Sequence, residues 1–213
     1  MEGWFDVDAL AQRAGIPNLV VQSLCRILDL SHQAIEQLGQ SYRGYKVGAA
    51  VLAHDEFGGR LGIYFGGNYT PYKGATWNCA EKRALEVVQK RGFNRVLAVA
   101  ISGPAPHVDE ISGVESPTRH PCSKCRGMLS ESPLIAPDTL IATSNLTEDA
   151  YELHTAESIL QLHETGEPQD FPDYDRLLPI YWLQILRYNP AAERAELAIL
   201  HKIAAQLTGR LDP

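Results

Sequence analysis

The chain has 213 residues, 45% of them hydrophobic and 21% charged, with a net charge of −7 and a pI near 5.5. This is the composition of an ordinary soluble globular protein and excludes a chain that is disordered, collagen-like or low-complexity throughout. An acidic balance gives no electrostatic reason to seek a phosphate backbone or an anionic membrane, and no apolar run approaches the roughly 18 residues of a membrane span.

Residues 1–6 lack the basic and apolar regions of a signal peptide, so a cytoplasmic protein with reduced thiols is expected. Residues 8–14 and 19–38 read as helices. In the second, Leu19, Leu24, Ile27, Leu28, Ala34, Ile35 and Leu38 recur at spacings of three and four. Gly15 and Gly39 suit the two C-caps, and Pro17 suits the start of the second helix. Residues 46–53 are β-like, turn through a polar stretch at 55–59 and are answered by a strand at 60–65, which makes a hairpin. A loop at 66–78 leads to a helix at 79–89, with Asn78 as N-cap and Glu81 three residues on, as in a capping box. Residues 95–102 form a strand, 103–119 a long polar loop and 121–129 a short helix opening with proline. Strands at 139–143 and 151–154 and a helix at 156–163 follow. Helix, hairpin, helix, strand, helix, strand is the order of a three-layer α/β fold. Residues 166–172 read as a linker, and 177–188 and 191–207 as two helices split by Asn189-Pro190.

Four cysteines are present, Cys25, Cys79, Cys122 and Cys125. Cys25 fits a buried helix position, as a small hydrophobe. The other three sit at two predicted helix starts, in Asn78-Cys79-Ala80-Glu81 and Pro121-Cys122-Ser123-Lys124-Cys125-Arg126. In a reducing compartment, a Cys-x-x-Cys with a distant third cysteine points to a metal or a redox site. Three thiolates can hold Zn²⁺ and leave its fourth position for water, the catalytic pattern. Helix N-termini favour this, because their free N–H groups stabilise thiolate. Glu81, two residues beyond Cys79, can act as a proton shuttle. Lys82, Arg83 and Arg126 are candidates to offset the thiolate charge. A redox reading would leave Cys79 and Glu81 without a role.

A ligand-x-Glu followed by Pro-Cys-x-x-Cys is the signature of the zinc nucleobase deaminases, which include an all-cysteine variant. Over roughly residues 18–165 the chain resembles the cytidine deaminase superfamily. Tyr45-Lys46-Val47-Gly48-Ala49-Ala50 resembles its first-strand motif, and Gly67-Asn68 its Gly-x-Asn. The resemblance implies a three-layer α/β/α fold with a mixed five-stranded sheet, here with a C-terminal helical extension. With the linker read at 166–172, the expected division is a catalytic domain at 1–165, N-terminal helices included, and a C-terminal helical extension at 166–213. The resemblance also implies Zn²⁺ on Cys79, Cys122 and Cys125, Glu81 as the catalytic proton shuttle, Tyr45 stacking on a base and Asn68 on a ribose hydroxyl. Ala80 and Thr70 fall at the remaining substrate-binding positions. It further implies a homo-oligomer, a dimer or tetramer.

The chain also departs from the pattern. Asn68-Tyr69-Thr70 has a threonine where the nucleoside-specific members carry a ribose-gripping glutamate. Thr70 has one neutral hydroxyl in place of a charge-assisted acceptor. The expected function is hydrolytic deamination of a cytidine-like nucleoside or related amino-heterocycle. The alternatives are a catalytically silent zinc-binding module and a nucleic-acid cytosine deaminase, and the acidic balance argues against the latter. Trp77 reads either as a pocket wall or as core packing, and His120 as a solvated loop histidine or a pocket residue.

Overall fold

The computed structural model describes residues 18–41, 44–55, 57, 60–147 and 150–166, except the side chains of residues 18–23 and 25. The helix expected at 8–14, the side chain of Cys25 and the helices expected at 177–207 lie outside the described residues.

The elements in order are α1 (Asn18–Leu38), β1 (Gln40–Ser41), β2 (Gly48–Asp55), β3 (Arg60–Gly67), β4 (Tyr69–Thr70), α2 (Ala80–Lys90), β5 (Arg95–Gly103), β6 (His107–Val108), β7 (Glu115–Ser116), α3 (Ser123–Glu131), β8 (Leu140–Asn145), β9 (Tyr151–Thr155) and α4 (Ala156–Thr165). Five strands form one mixed sheet in the order β3-β2-β5-β8-β9. β2 runs antiparallel to both of its neighbours, β5 and β8 are parallel, and β9 returns antiparallel to β8.

Every residue of β2 is buried, as expected of a strand covered on both faces. Its side chains alternate between two helical layers. Ala49, Val51 and Ala53, with Val47 just before the strand, pack with Ala84, Leu85 and Val88 of α2, Leu129 of α3 and Ile159 of α4. On the other face, a Cβ at Gly48 would lie 1.9 Å from the carbonyl oxygen of Ser31 in α1. Only glycine lets that helix sit so close. The sheet therefore lies between α1 and the layer of α2, α3 and α4, the three-layer plan expected.

Because β3 and β5 are each antiparallel to β2, they are parallel to one another, and β8 shares their direction. α2 follows β3 and α3 follows β5. Both helices thus begin at the same edge of the sheet, outside the carboxyl ends of the parallel strands, where open α/β sheets place their ligands.

Two helix starts differ from expectation. The N-cap of α2 is Cys79 rather than Asn78, in extended backbone with φ −70° and ψ 153° and without a side-chain cap. The backbone of Asn78 is instead paired with Tyr69, whose N–H reaches the Asn78 carbonyl at 2.8 Å. That bridge holds the chain extended up to Cys79, so no capping box forms. α3 begins at Ser123 with Cys122 as N-cap, two residues later than the proline opening suggests. The polar loop after β5 contains a short antiparallel ladder, β6 with β7.

Candidate active site

The two helix starts bring together residues 43 positions apart in sequence. The sulfurs of Cys79 and Cys122 are 3.5 Å apart. With Cys125, one turn into α3, the three sulfurs lie within 4.8 Å of one another. Sulfurs at about 2.3 Å from one tetrahedral zinc would stand about 3.8 Å apart. The donor set and its spacing fit that metal. All three thiols are free.

The protonation pattern reflects the crowding. Cys122 is held far below the ordinary thiol range, first by hydrogen bonds from the thiols of Cys125 and Cys79, then by the backbone N–H groups of Cys125 and Lys124. Cys79 is pushed up to about 12, chiefly by its bond to Cys122, and Cys125 is also raised. One thiolate is stabilised by two neighbouring thiols and an open helix end. A divalent cation would let the other two ionise as well.

Glu81 lies in the first turn of α2 and is only 3% exposed. Burial, and next the charge of Cys122, push its carboxyl up to about 7; its own backbone N–H, Arg119 and Cys125 pull the other way. A carboxyl poised near neutrality beside three cysteine sulfurs is suited to taking up and giving back a proton.

The cations named from sequence are occupied elsewhere. Lys82 pairs with Glu86 at 3.7 Å, and Arg83 donates to the Gly67 carbonyl at 2.7 Å. Arg126 grips Asp109 with both terminal nitrogens, at 2.8 and 3.2 Å, and donates to the Pro121 carbonyl. The cation whose charge reaches Glu81 is Arg119, which the sequence reading missed. Arg119 is 7% exposed, its guanidinium lies 5.0 Å from the Tyr45 ring centroid, and its buried Nη1 has no hydrogen-bond partner. A Cβ at Gly103 would come within 3.0 Å of its side chain, so that glycine makes its room. Nothing in the local sequence of Arg119 marks this role.

A cavity of about 690 Å³ opens beside the cluster, walled by Tyr45, Trp77, Cys79, Val108, Arg119 and Cys122 among others. Tyr45 and Trp77 are 6.3 Å apart, their rings inclined at 53°. Trp77 is thus a pocket wall, 41% exposed, and not core. Asn68, Thr70 and Ala80 do not line this cavity. The Asn68 carboxamide is taken up by backbone: Oδ1 accepts from the Val47 N–H at 2.9 Å, and Nδ2 donates to the Tyr45 carbonyl at 2.8 Å. It fixes the strand entry that carries Tyr45. Thr70 is buried with its hydroxyl unpartnered, and Ala80 is fully buried at the start of α2. His120 is 1% exposed, neither solvated nor on the cavity wall. Its ring is enclosed by Ser116, Glu152 and His163.

No protein-family model and no curated protein matches the chain. Solved structures do. The cytidine deaminase from Burkholderia pseudomallei aligns with a TM-score of 0.51 at 21% identity, over 63% of this chain and 94% of that one. The cytidine deaminase from Mycobacterium leprae aligns at 20% identity and a TM-score of 0.42, over 65% and 94% of the two chains. That from Mycobacterium tuberculosis aligns at 23% and 0.42, over 58% and 90%. At such identities the likeness concerns architecture. The mixed five-stranded sheet between helical layers is a cytidine deaminase-like α/β fold.

Proposed function

We propose that the chain is a zinc-dependent hydrolase that deaminates a small cytidine-like amino-heterocycle and releases ammonia. The observation that carries this reading is the meeting of three cysteine sulfurs with a buried glutamate at the carboxyl edge of the sheet. Cys79, Cys122 and Cys125 would hold the ion. When bound, zinc supplies a water acidified toward neutral pH. Glu81 accepts a proton at its carboxylate and passes it to the amine nitrogen, which leaves as ammonia. Tyr45 and Trp77 offer aromatic faces to the heterocycle, and Arg119 has a donor to spare for one of its oxygen or nitrogen acceptors.

Residues 1–165 would be the catalytic unit and 166–213 an extension, in a homo-oligomer. A reducing compartment such as the cytoplasm suits three free thiols. None of the described helices is long and apolar enough to cross a membrane. The experiment is ammonia release by the zinc-loaded chain across cytosine bases, nucleosides, nucleotides and modified nucleosides. At least one should turn over, and activity should vanish on chelation and return with zinc. Silence across the whole panel would overturn the reading.

A further inference from the structure

We propose that His120, Glu152 and His154 form a second metal site, for one divalent transition-metal ion of the zinc type. The site shares no ligand with the cysteine cluster. Glu152 and His154 are two residues apart on β9, so they share a face of that strand. His120 reaches them from the segment between β7 and α3. One ligand atom from each of the three lies within 4.8 Å of the others. His120 Nε2 is 3.1 Å from Glu152 Oε2, and His154 Nε2 is 3.9 Å from Glu152 Oε1. Two ligands each about 2.1 Å from one ion stand roughly 3.0–3.4 Å apart. The two rings lie 5.1 Å apart at 82°, so both can turn a nitrogen to a common point.

The surroundings orient these groups as the outer shell of a metal site does. His120 Nδ1 is 3.1 Å from His163 Nε2, and His163 Nδ1 is 2.8 Å from the Ser112 hydroxyl, which in turn donates to Asp109 at 3.0 Å. This hydrogen-bonded relay occupies Nδ1, while Nε2 faces Glu152 Oε2 and the Ser116 hydroxyl, 3.0 Å away. Metal-binding imidazoles are held in this way by a partner on the other nitrogen. The hydroxyls of Ser116 and Thr118 donate to Glu152 Oε2 and fix the carboxylate. His154 Nε2 is buried without a hydrogen-bond partner. A polar atom left so is costly, and an ion between it and Glu152 would satisfy it. The His154 and Glu152 side chains are 15% and 26% exposed, which leaves an entry path. Two imidazoles and a carboxylate suit zinc or ferrous iron, with open positions remaining.

The test uses the full chain, stripped of metal and titrated with Co²⁺. Cobalt on the cysteines gives an intense thiolate charge-transfer band, and cobalt on nitrogen and oxygen gives only weak visible bands. The expected result is a second equivalent that binds without adding to the thiolate band. Glu152→Gln and His154→Ala should each weaken that equivalent at least about 10-fold and leave the thiolate band intact. A native chain whose cobalt all reports through thiolate would overturn the proposal. So would a second equivalent that survives in both variants, and if either variant fails to fold, the other and the native titration still decide. The thiolate band scores the cysteine cluster separately, so the two readings can fail independently.

Discussion

In the proposed reaction Arg119 is the side chain that contacts an acceptor on the substrate. A guanidinium that is buried, 5.0 Å from the Tyr45 ring centroid and with one nitrogen unpartnered has a donor for an acceptor from the cavity. Arg119→Ala should lower kcat/KM by roughly 10- to 100-fold, the cost of one hydrogen bond to a charged group, with zinc content unchanged. Arg119→Lys should restore little, because ammonium lacks the planar fork. Steady-state kinetics with metal analysis checks both. At this scale the sequence was only partly legible. Cys79, Cys122, Cys125 and Glu81 stand out because short motifs at helix starts carry them. Arg119 and His120 do not, since their burial depends on how the loop after β5 folds over the sheet. The partners of Asn68 are also set by tertiary approach, because a carboxamide suits a ribose and a backbone equally well.

The sulfur cluster depends on how two helices seat on one sheet. A Cβ at Gly66 in β3 would lie 2.6 Å from the Ala80 carbonyl oxygen and 2.9 Å from the Ala84 nitrogen. Gly66→Ala should push α2 outward, costing about 1–3 kcal/mol of stability and weakening zinc binding, since Cys79 and Glu81 ride on that helix. Gly127 in α3 meets nothing within 4 Å of its missing Cβ. Gly127→Ala should therefore stabilise by about 0.5–1 kcal/mol and leave zinc affinity alone. Denaturant melts and competitive zinc titration separate the two effects. Hydrophobic periodicity made the strands and helices legible, but the exact helix starts were hidden. Cys79 and Cys122 take the N-cap places in extended backbone, and the Tyr69–Asn78 bridge that enforces this at α2 is a pairing across a loop.

Across the whole molecule, the Asp109–Arg126 pair ties the long loop to α3. The guanidinium, and next the amides and hydroxyl of residues 111 and 112, hold the Asp109 carboxyl well below the usual carboxylate range despite the opposing effect of burial. A depressed folded-state pKa stabilises the fold above the unfolded value near 3.9 and loses that contribution as pH falls below it. Asp109→Asn should cost on the order of 3 kcal/mol at pH 7 by stranding a buried guanidinium. The gap from the native chain should narrow by pH 3. Urea unfolding at the two pH values checks this.

In the proposed hydrolytic deamination, Glu81 is the group that moves the protons. Ammonia release by the native chain and by Glu81→Gln, compared at equal bound zinc on a substrate the native chain turns over, tests it most directly. The expected loss in Glu81→Gln is about 10²- to 10⁴-fold in kcat with the metal retained. A Glu81→Gln protein that holds its zinc and deaminates at the native rate would contradict it.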